Sequence, residues 1–278
     1  MKTIAIKITS ENFQQEKDIL LASLSDVDFE GFIEDENAFI GYIKEKEFKN
    51  FKLLYESIKN NFTTLKYETE FVEDKNWNEL WEKSYDPVEI DNKILIKAPF
   101  HRVEKKYEYE VIINPQMAFG TGHHPTTALM IELMLKFKDK FLNKKIADIG
   151  CGTGILSIIA SKLGGKNILA LDISPTAIEN TINNAELNKV NNINCIEGSI
   201  DVLNNENFDI ILANITRDVI LEHLKYYYNF FSNQGYLFLS GFLSTDENII
   251  IKEARKYNFE FLKKKEKKEW CAIVFYKN

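Results

Sequence analysis

The sequence predicts an α/β chain of two domains, a small α+β unit followed by a larger, doubly wound and mostly parallel sheet. Three observations predict it. Short apolar strands alternate with longer helices from about residue 124 to the C-terminus. The first 72 residues follow a separate β-α-β-β-α-β order. A glycine-rich run lies where the first strand of the larger sheet opens into a helix.

In the small unit, Ile4, Ile6 and Ile8 alternate with polar residues, the period of a half-buried strand. Glu11 to Leu24 is helical, with Phe13, Ile19, Leu20, Leu21 and Leu24 on its apolar side and Ser10 as its N-cap. Phe29 to Glu34 and Ala38 to Ile43 are strands around the turn Asp35-Glu36-Asn37. Glu47 to Lys59 is a second helix, carrying Phe48, Phe51, Leu54, Tyr55 and Ile58 at helical spacing, and Thr64 to Val72 is a last strand. This order is ferredoxin-like, and residues 1–72 hold no glycine-rich loop and no titratable cluster, so the unit reads as a docking module. Residues 73–90 form a polar link with a short helix on which Trp77 and Trp81 share one face as packing anchors.

Residues 91–278 form the larger domain. Ile94 to Ile96 and Tyr109 to Ile113 are strands leading into it. Helix Thr126–Phe137 precedes strand Ile146–Ile149, helix Ile155–Leu163 precedes strand Ile168–Leu171, and helix Pro175–Leu187, capped by Ser174, precedes strand Ile193–Ile196. Strand Phe208–Ala213 precedes helix Val219–Phe231, and strand Tyr236–Leu239 precedes helix Asp246–Lys256. Phe259–Lys263 and Trp270–Phe275 close the chain as an antiparallel pair.

Bulk properties narrow the class. The 278 residues are 45% hydrophobic and 28% charged, as in an ordinary globular protein, with no apolar run near the roughly 18 residues that span a membrane. Three cysteines, Cys151, Cys195 and Cys271, without CxxC spacing give neither a disulfide framework nor a zinc site, which fits a reducing cytoplasm. A net charge of −7 disfavours non-specific nucleic-acid binding and suits a basic protein partner. The charge is uneven. Nine acidic residues and one lysine lie between Glu11 and Glu36, and Lys263 to Lys268 is basic.

The strongest motif is Ala147-Asp148-Ile149-Gly150-Cys151-Gly152-Thr153-Gly154, at the carboxyl edge of the first strand of the sheet. A dinucleotide fingerprint is G-x-G-x-x-G. Here Gly154 comes one residue early and Ile155 stands where that fingerprint needs glycine. G-x-G-x-G after an Asp suits S-adenosylmethionine (SAM), which has no pyrophosphate to cradle. Asp172, eighteen residues after Gly154, ends the second strand, where a carboxylate can accept both ribose hydroxyls. The third strand ends at Glu197-Gly198-Ser199, an edge that commonly borders adenine in such folds. The fourth ends at Ala213-Asn214-Ile215-Thr216. There Asn214 is either an amide that orients an amine nucleophile or a turn-capping residue. His123 and His124 are adjacent, lack metal spacing and read as loop-packing or capping residues, and Cys151 has no paired base.

The run Asn114-Pro115-Gln116-Met117-Ala118-Phe119-Gly120-Thr121-Gly122-His123-His124-Pro125-Thr126-Thr127 resembles the signature loop of the bacterial ribosomal protein L11 methyltransferases, the PrmA family. So do Gly150 to Leu156, Asp172-Ile173-Ser174-Pro175, Ala213-Asn214-Ile215 and the Trp77–Trp81 segment. Gln116, where the family often has glycine, and Thr216-Arg217 depart from its pattern. The resemblance implies a seven-stranded Rossmann-like methyltransferase sheet with an N-terminal ferredoxin-like domain that recognises the ribosomal protein. It implies methylation of lysine side chains and the α-amine of large-subunit ribosomal protein L11, with SAM as cofactor. Thr127, Gly150, Gly152, Asp172 and Asn214 would form the cofactor site, Asn214 would be catalytic, and Phe119 to Gly122 would fold over the cofactor. No metal and no direct nucleic-acid or membrane partner is expected, and the protein is expected to be a cytoplasmic monomer. Two alternatives stand beside this reading: a SAM methyltransferase of another protein, small amine or RNA, and a ribosome-docking protein that binds SAM without transferring its methyl group.

Overall fold

The computed structural model describes residues 3–24, 27–29, 31–35, 37–62, 64–72, 86–114, 122–203 and 206–278. The chain divides into two compact units, residues 1–85 and 86–278.

In the first unit β1 (Thr3–Thr9), β2 (Gly31–Asp35), β3 (Ala38–Lys44) and β4 (Lys66–Val72) form one antiparallel sheet in the order β2-β3-β1-β4. With α1 (Phe13–Ser23) and α2 (Phe48–Ile58) this is the ferredoxin-like arrangement. Alternation decides its core. Ile4, Ile6 and Ile8 are buried on one face, together with Ile43 and Phe39 from the paired strand and Phe13, Leu20 and Phe51 from the helices. Ile19, expected on the apolar side of α1, is 64% exposed, so the buried stripe is narrower than the helical spacing suggested. Ser10 does not cap α1 either. The helix begins at Phe13, and the Ser10 hydroxyl accepts from the Asn12 N–H and donates to the Glu16 carboxylate. Trp77 and Trp81 lie outside the described residues, as do Gln116 and the stretch from Phe119 to Thr121.

The second unit opens with a three-stranded sheet, β5 (Val88–Ile90), β6 (Ile94–Lys97) and β7 (Tyr109–Ile112); β5 is too short to stand out as a sequence pattern. The main sheet has seven strands: β8 (Lys145–Ile149), β9 (Asn167–Asp172), β10 (Ile193–Glu197), β11 (Phe208–Asn214), β12 (Phe231–Leu243), β13 (Phe259–Lys267) and β14 (Trp270–Lys277). Their order is β10-β9-β8-β11-β12-β14-β13, with β14 antiparallel to both its neighbours and the rest of the ladder parallel. The helices are α3 (Pro125–Lys136), α4 (Ile155–Lys162), α5 (Pro175–Leu187), α6 (Arg217–Tyr227) and α7 (Glu247–Lys256). Both faces of the sheet are covered, so its strands are apolar on both sides. Ile146, Ile210, Leu212 and Phe238 pack with α3 and α4, while Ala147, Ile211, Ala213 and Leu237 pack with α6 and α7. Helix α6 ends four residues before the expected Phe231, because Phe231 pairs with Phe208 and starts β12. This architecture is a doubly wound, Rossmann-like methyltransferase sheet with a small N-terminal sheet domain.

Candidate functional site

The residues singled out from the sequence converge on the carboxyl ends of β8, β9 and β11, the edge where open α/β sheets bind ligands. Gly150, just after β8, has φ +75, and a Cβ there would stand 2.3 Å from Ile215 Cγ2. Glycine therefore lets the loop lie directly against the turn that follows β11. The N–H groups of Gly150 and Cys151 both donate to the Leu171 carbonyl, at 2.7 and 3.0 Å, which ties the loop to β9.

Asp172 completes that tie. Its carboxylate accepts from the Gly152 N–H at 3.0 Å through Oδ2 and from the Ser174 N–H at 3.0 Å through Oδ1. Ser174 caps α5 as expected, accepting from the Ala177 N–H. A carboxylate has about four lone-pair positions, so these two bonds leave capacity for a ligand's hydroxyls. Gly150, Gly152 and Asp172 line a cavity of about 510 Å³ whose other walls include Ile173, Ile200 and Ile215. Its lining is mainly apolar with a few polar groups, Asp172, Ser199, Thr216, Glu222 and His223 among them, the usual composition of a small-molecule site.

Thr127 and Asn214 meet beside it. Asn214 ends β11 opposite Ser240 of β12, and its Nδ2 donates to Thr127 Oγ1 at 3.4 Å. Thr127 is fully buried in the first turn of α3. Asn214 Oδ1 is buried and has no hydrogen-bond partner among the described residues. A buried acceptor without a donor costs about 1–3 kcal/mol, a cost that Asp148 Oδ1 also carries, and at Asn214 it leaves an acceptor open to a water or an incoming group. The pair does not line the 510 Å³ cavity; the next residue, Ile215, does.

Sequence reasoning missed four groups. Asp148, inside the glycine motif, is 1% exposed, and its Oδ2 accepts from Ser157 N–H at 3.0 Å and Ser157 Oγ at 2.6 Å. This holds the first turn of α4, whose preceding Gly154 offers no capping side chain. Burial is the main cause that pushes the Asp148 carboxyl up, to about 6, with the two Ser157 bonds opposing it. The second group is a polar face of α5. Thr181 donates to the Gly152 carbonyl and Asn184 to the Thr153 carbonyl, while Asn184 and Asn188 accept from the Asn114 and Ile112 N–H groups. Their i, i+3, i+7 spacing marks one helix face, the signal that would have found them. The third is Gly241 in the bulge of β12, with φ +99, where a Cβ would stand 2.0 Å from the Ile215 carbonyl oxygen. A glycine inside a strand is the corresponding signal. The fourth is His223 on α6, which lines the cavity.

Other clusters carry less. His124 caps α3, accepting from the Thr126 N–H, and His123 bonds the Asp86 carbonyl at 2.9 Å. Burial pushes the Cys151 thiol well above the ordinary range and Cys195 up to about 11, which leaves both as thiols. Glu247, Glu266 and Cys271 bring ligand atoms within 4.8 Å, but the Lys264 ammonium bonds both carboxylates and supplies their counter-charge. A second cavity of about 380 Å³ lies at the opposite edge of the sheet, by Lys145, Asn167 and Asn194, and shares no lining residue with the first.

Residues 2–278 match the family of ribosomal protein L11 methyltransferases (PrmA). The chain is 38% identical over 264 residues to the ribosomal protein L11 methyltransferase of Bacteroides fragilis, covering 93% of each chain. It is 36% identical over 281 residues to that of Phocaeicola vulgatus, covering 99% of each. Among solved structures it is similar to the ribosomal protein L11 methylase of Lactobacillus delbrueckii subsp. bulgaricus, with a TM-score of 0.63 and 25% identity over 69% of this chain and 98% of that one. Similarity of this extent makes the chain a member of the ribosomal protein L11 methyltransferase (PrmA) family and an enzyme whose methyl donor is S-adenosylmethionine.

Proposed function

We propose that the enzyme methylates amines of large-subunit ribosomal protein L11, both lysine side chains and the N-terminal α-amine, and that the cavity at β8, β9 and β11 is its cofactor site. The observation that carries this reading is the buried, unpartnered Oδ1 of Asn214 at the end of β11. The groups around the cavity fit SAM. Gly150 and Gly152 supply backbone that a ligand can approach closely, Asp172 supplies acceptors for ribose hydroxyls, and the isoleucine walls suit a flat base.

When bound, SAM supplies an electrophilic methyl group on a sulfonium. What the chain itself contributes is alignment, which brings reacting atoms to about 3 Å. Asn214 Oδ1 accepts a hydrogen bond from the incoming amine and so aims its lone pair, and Thr127 holds the Asn214 amide from the other side. The nucleophile must be neutral, while a free lysine has a pKa of about 10.4. Removing that ammonium from water beside a cation lowers its pKa, so alignment and desolvation suffice without a dedicated strong base.

Residues 1–72 are assigned to recognition of the ribosomal protein, 73–90 to the link and 91–278 to transfer. The acidic run from Glu11 to Glu36 suits a basic partner, and association should weaken as salt rises. The enzyme is assigned to the cytoplasm as a monomer, without nucleic-acid specificity. The test is intact-mass spectrometry of ribosomal protein L11 incubated with the enzyme and SAM. Gains in steps of one methyl are expected, with fragmentation placing each on an amine. No gain, with SAM still bound, would remove L11 as the substrate and leave another protein, a small amine or RNA as the acceptor.

A further inference from the structure

One wall of the cavity takes no part in the proposed transfer. Helix α6 presents Val219, Glu222 and His223 to it. One turn after His223, Tyr227 is completely buried, and its hydroxyl lies 3.4 Å from His223 Nδ1. The two rings meet edge to face, 5.8 Å apart at 84°. This pair constrains where the imidazole carries its proton.

Tyr227 burial raises its phenol far above the ordinary range, so the hydroxyl keeps its hydrogen. A buried O–H needs an acceptor, and Nδ1 is the acceptor it has. Were Nδ1 the protonated nitrogen, the phenol hydrogen would be left without a partner, at a cost of about 1–3 kcal/mol. The contact, long at 3.4 Å, favours the tautomer with Nδ1 accepting and the hydrogen on Nε2. Burial also holds His223 below the usual imidazole range, opposed by Glu222 and assisted by Lys225, so the ring is neutral near pH 7. Among the described residues His223 makes no side-chain hydrogen bond besides that with Tyr227, and it lines the cavity. The N–H is left for whatever fills the cavity.

The rest of the cavity says what that is. Its walls are aliphatic, with Ile173, Ile200, Ile215 and Val219 facing the same space. Ser199, Thr216 and Glu222 stand at the same space, and an aliphatic wall with the His223 N–H beside it matches a planar heteroaromatic ring that carries a nitrogen acceptor. We propose that His223, set in its Nε2–H tautomer by Tyr227, donates a hydrogen bond to a ring nitrogen of the cofactor's adenine and so selects the adenosyl group. This rests on the cavity being the cofactor site.

The test measures dissociation constants of S-adenosylhomocysteine and its 1-deaza, 3-deaza and 7-deaza adenine analogues by calorimetry. The proteins are the wild-type enzyme, His223→Phe, Tyr227→Phe and Asp172→Asn, each checked for folding by circular dichroism. One deaza analogue should bind the wild type about fivefold more weakly than the parent, the size of one neutral hydrogen bond. That penalty should vanish in His223→Phe and shrink in Tyr227→Phe, which keeps the imidazole but frees its tautomer. A merely structural histidine would leave the ratio between analogue and parent unchanged in every variant, and that result overturns the proposal. Should His223→Phe bind like the wild type while Asp172→Asn is weakened, only the role of His223 falls. Should both bind like the wild type, the assignment of the cavity falls and takes this proposal with it.

Discussion

The two halves of the candidate site are built on opposite plans. At the glycine loop most polar groups are bonded inside the protein, Asp148 Oδ1 excepted. Leu171 holds two N–H groups of the loop, Asp172 takes one from the loop and one from Ser174, and Thr181 and Asn184 take its carbonyls. At the end of β11 the Asn214 amide is held on one side by Thr127, and its Oδ1 has no hydrogen-bond partner among the described residues. A closed network fixes the shape of a binding surface, whereas an open acceptor is ready for a group that arrives with the substrate. Under the proposed function, binding and alignment are divided between neighbouring strands of one sheet, and the two should respond separately to mutation.

Asn214→Ala is the sharpest way to break that division. Loss of one preorganised polar group at a reacting centre typically costs about 100-fold in turnover or more. The expected result is a fall of that order in kcat, with the dissociation constant of S-adenosylhomocysteine changed less than about threefold. Equal damage to binding and turnover, measured by calorimetry and a steady-state methyl-transfer assay, would merge the two halves into one.

A substitution between the halves should damage both. Ile215 is pressed on one side by Gly150 and on the other by Gly241, where any Cβ would stand 2.0 Å from its carbonyl oxygen. Gly241→Ala must move backbone, and its φ of +99 is strained for alanine. A loss of about 2–3 kcal/mol in unfolding free energy is expected, together with lower turnover because Asn214 is the adjacent residue. Gly31→Ala is the control. Nothing lies within 4 Å of its Cβ position, so its stability should stay within about 0.5 kcal/mol of the wild type. If the two alanine variants melt alike, close packing around Ile215 is not what holds the halves together.

The same contrast explains what could be read in advance. Strand and helix order was legible because each strand of the main sheet is a short apolar run bounded by helices, and the glycine loop because its spacing departs visibly from a dinucleotide fingerprint. Asp172 was legible as a strand end. What escaped depends on contacts far apart in the chain. Asn184 and Asn188 resemble solvent-facing helix residues until Asn114 and Ile112, just past and at the end of β7, are laid beside them, 70 and 76 residues away in sequence. Gly241 matters only because β11 turns beneath it. The burial of Tyr227 could have been read from the Ile220, Leu224 and Tyr227 stripe of α6, but its contact with His223 and the cavity beside that ring could not. Asp148 lay inside the motif, but a motif does not say whether its carboxylate faces solvent or core.

Asp148 therefore gives a finer test of the closed half. Its carboxyl is raised by burial from the model-peptide value of 3.8 to about 6 in the fold. A group raised on folding favours the fold most when protonated. That stability is fully present below about pH 4, is lost as pH rises through about 6, and is absent above it. A shift of this size corresponds to roughly 3 kcal/mol at most. Asp148→Asn mimics the protonated acid, with its carbonyl still able to accept from the Ser157 N–H and hydroxyl. The amide nitrogen then occupies the place of the unpartnered Oδ1, which offsets part of the gain. Melting curves between pH 4 and 8 should show Asp148→Asn gaining on the wild type as pH rises, by about 1–2 kcal/mol at pH 8, with no further gain beyond pH 7. A constant difference across that range would mean that Asp148 does not change its charge on this scale, and that the Ser157 bonds alone set the cost of burying it. Binding of S-adenosylhomocysteine should follow stability only weakly here, because the carboxylate acts on α4 through Ser157 and the loop keeps its ties to Leu171 and Asp172.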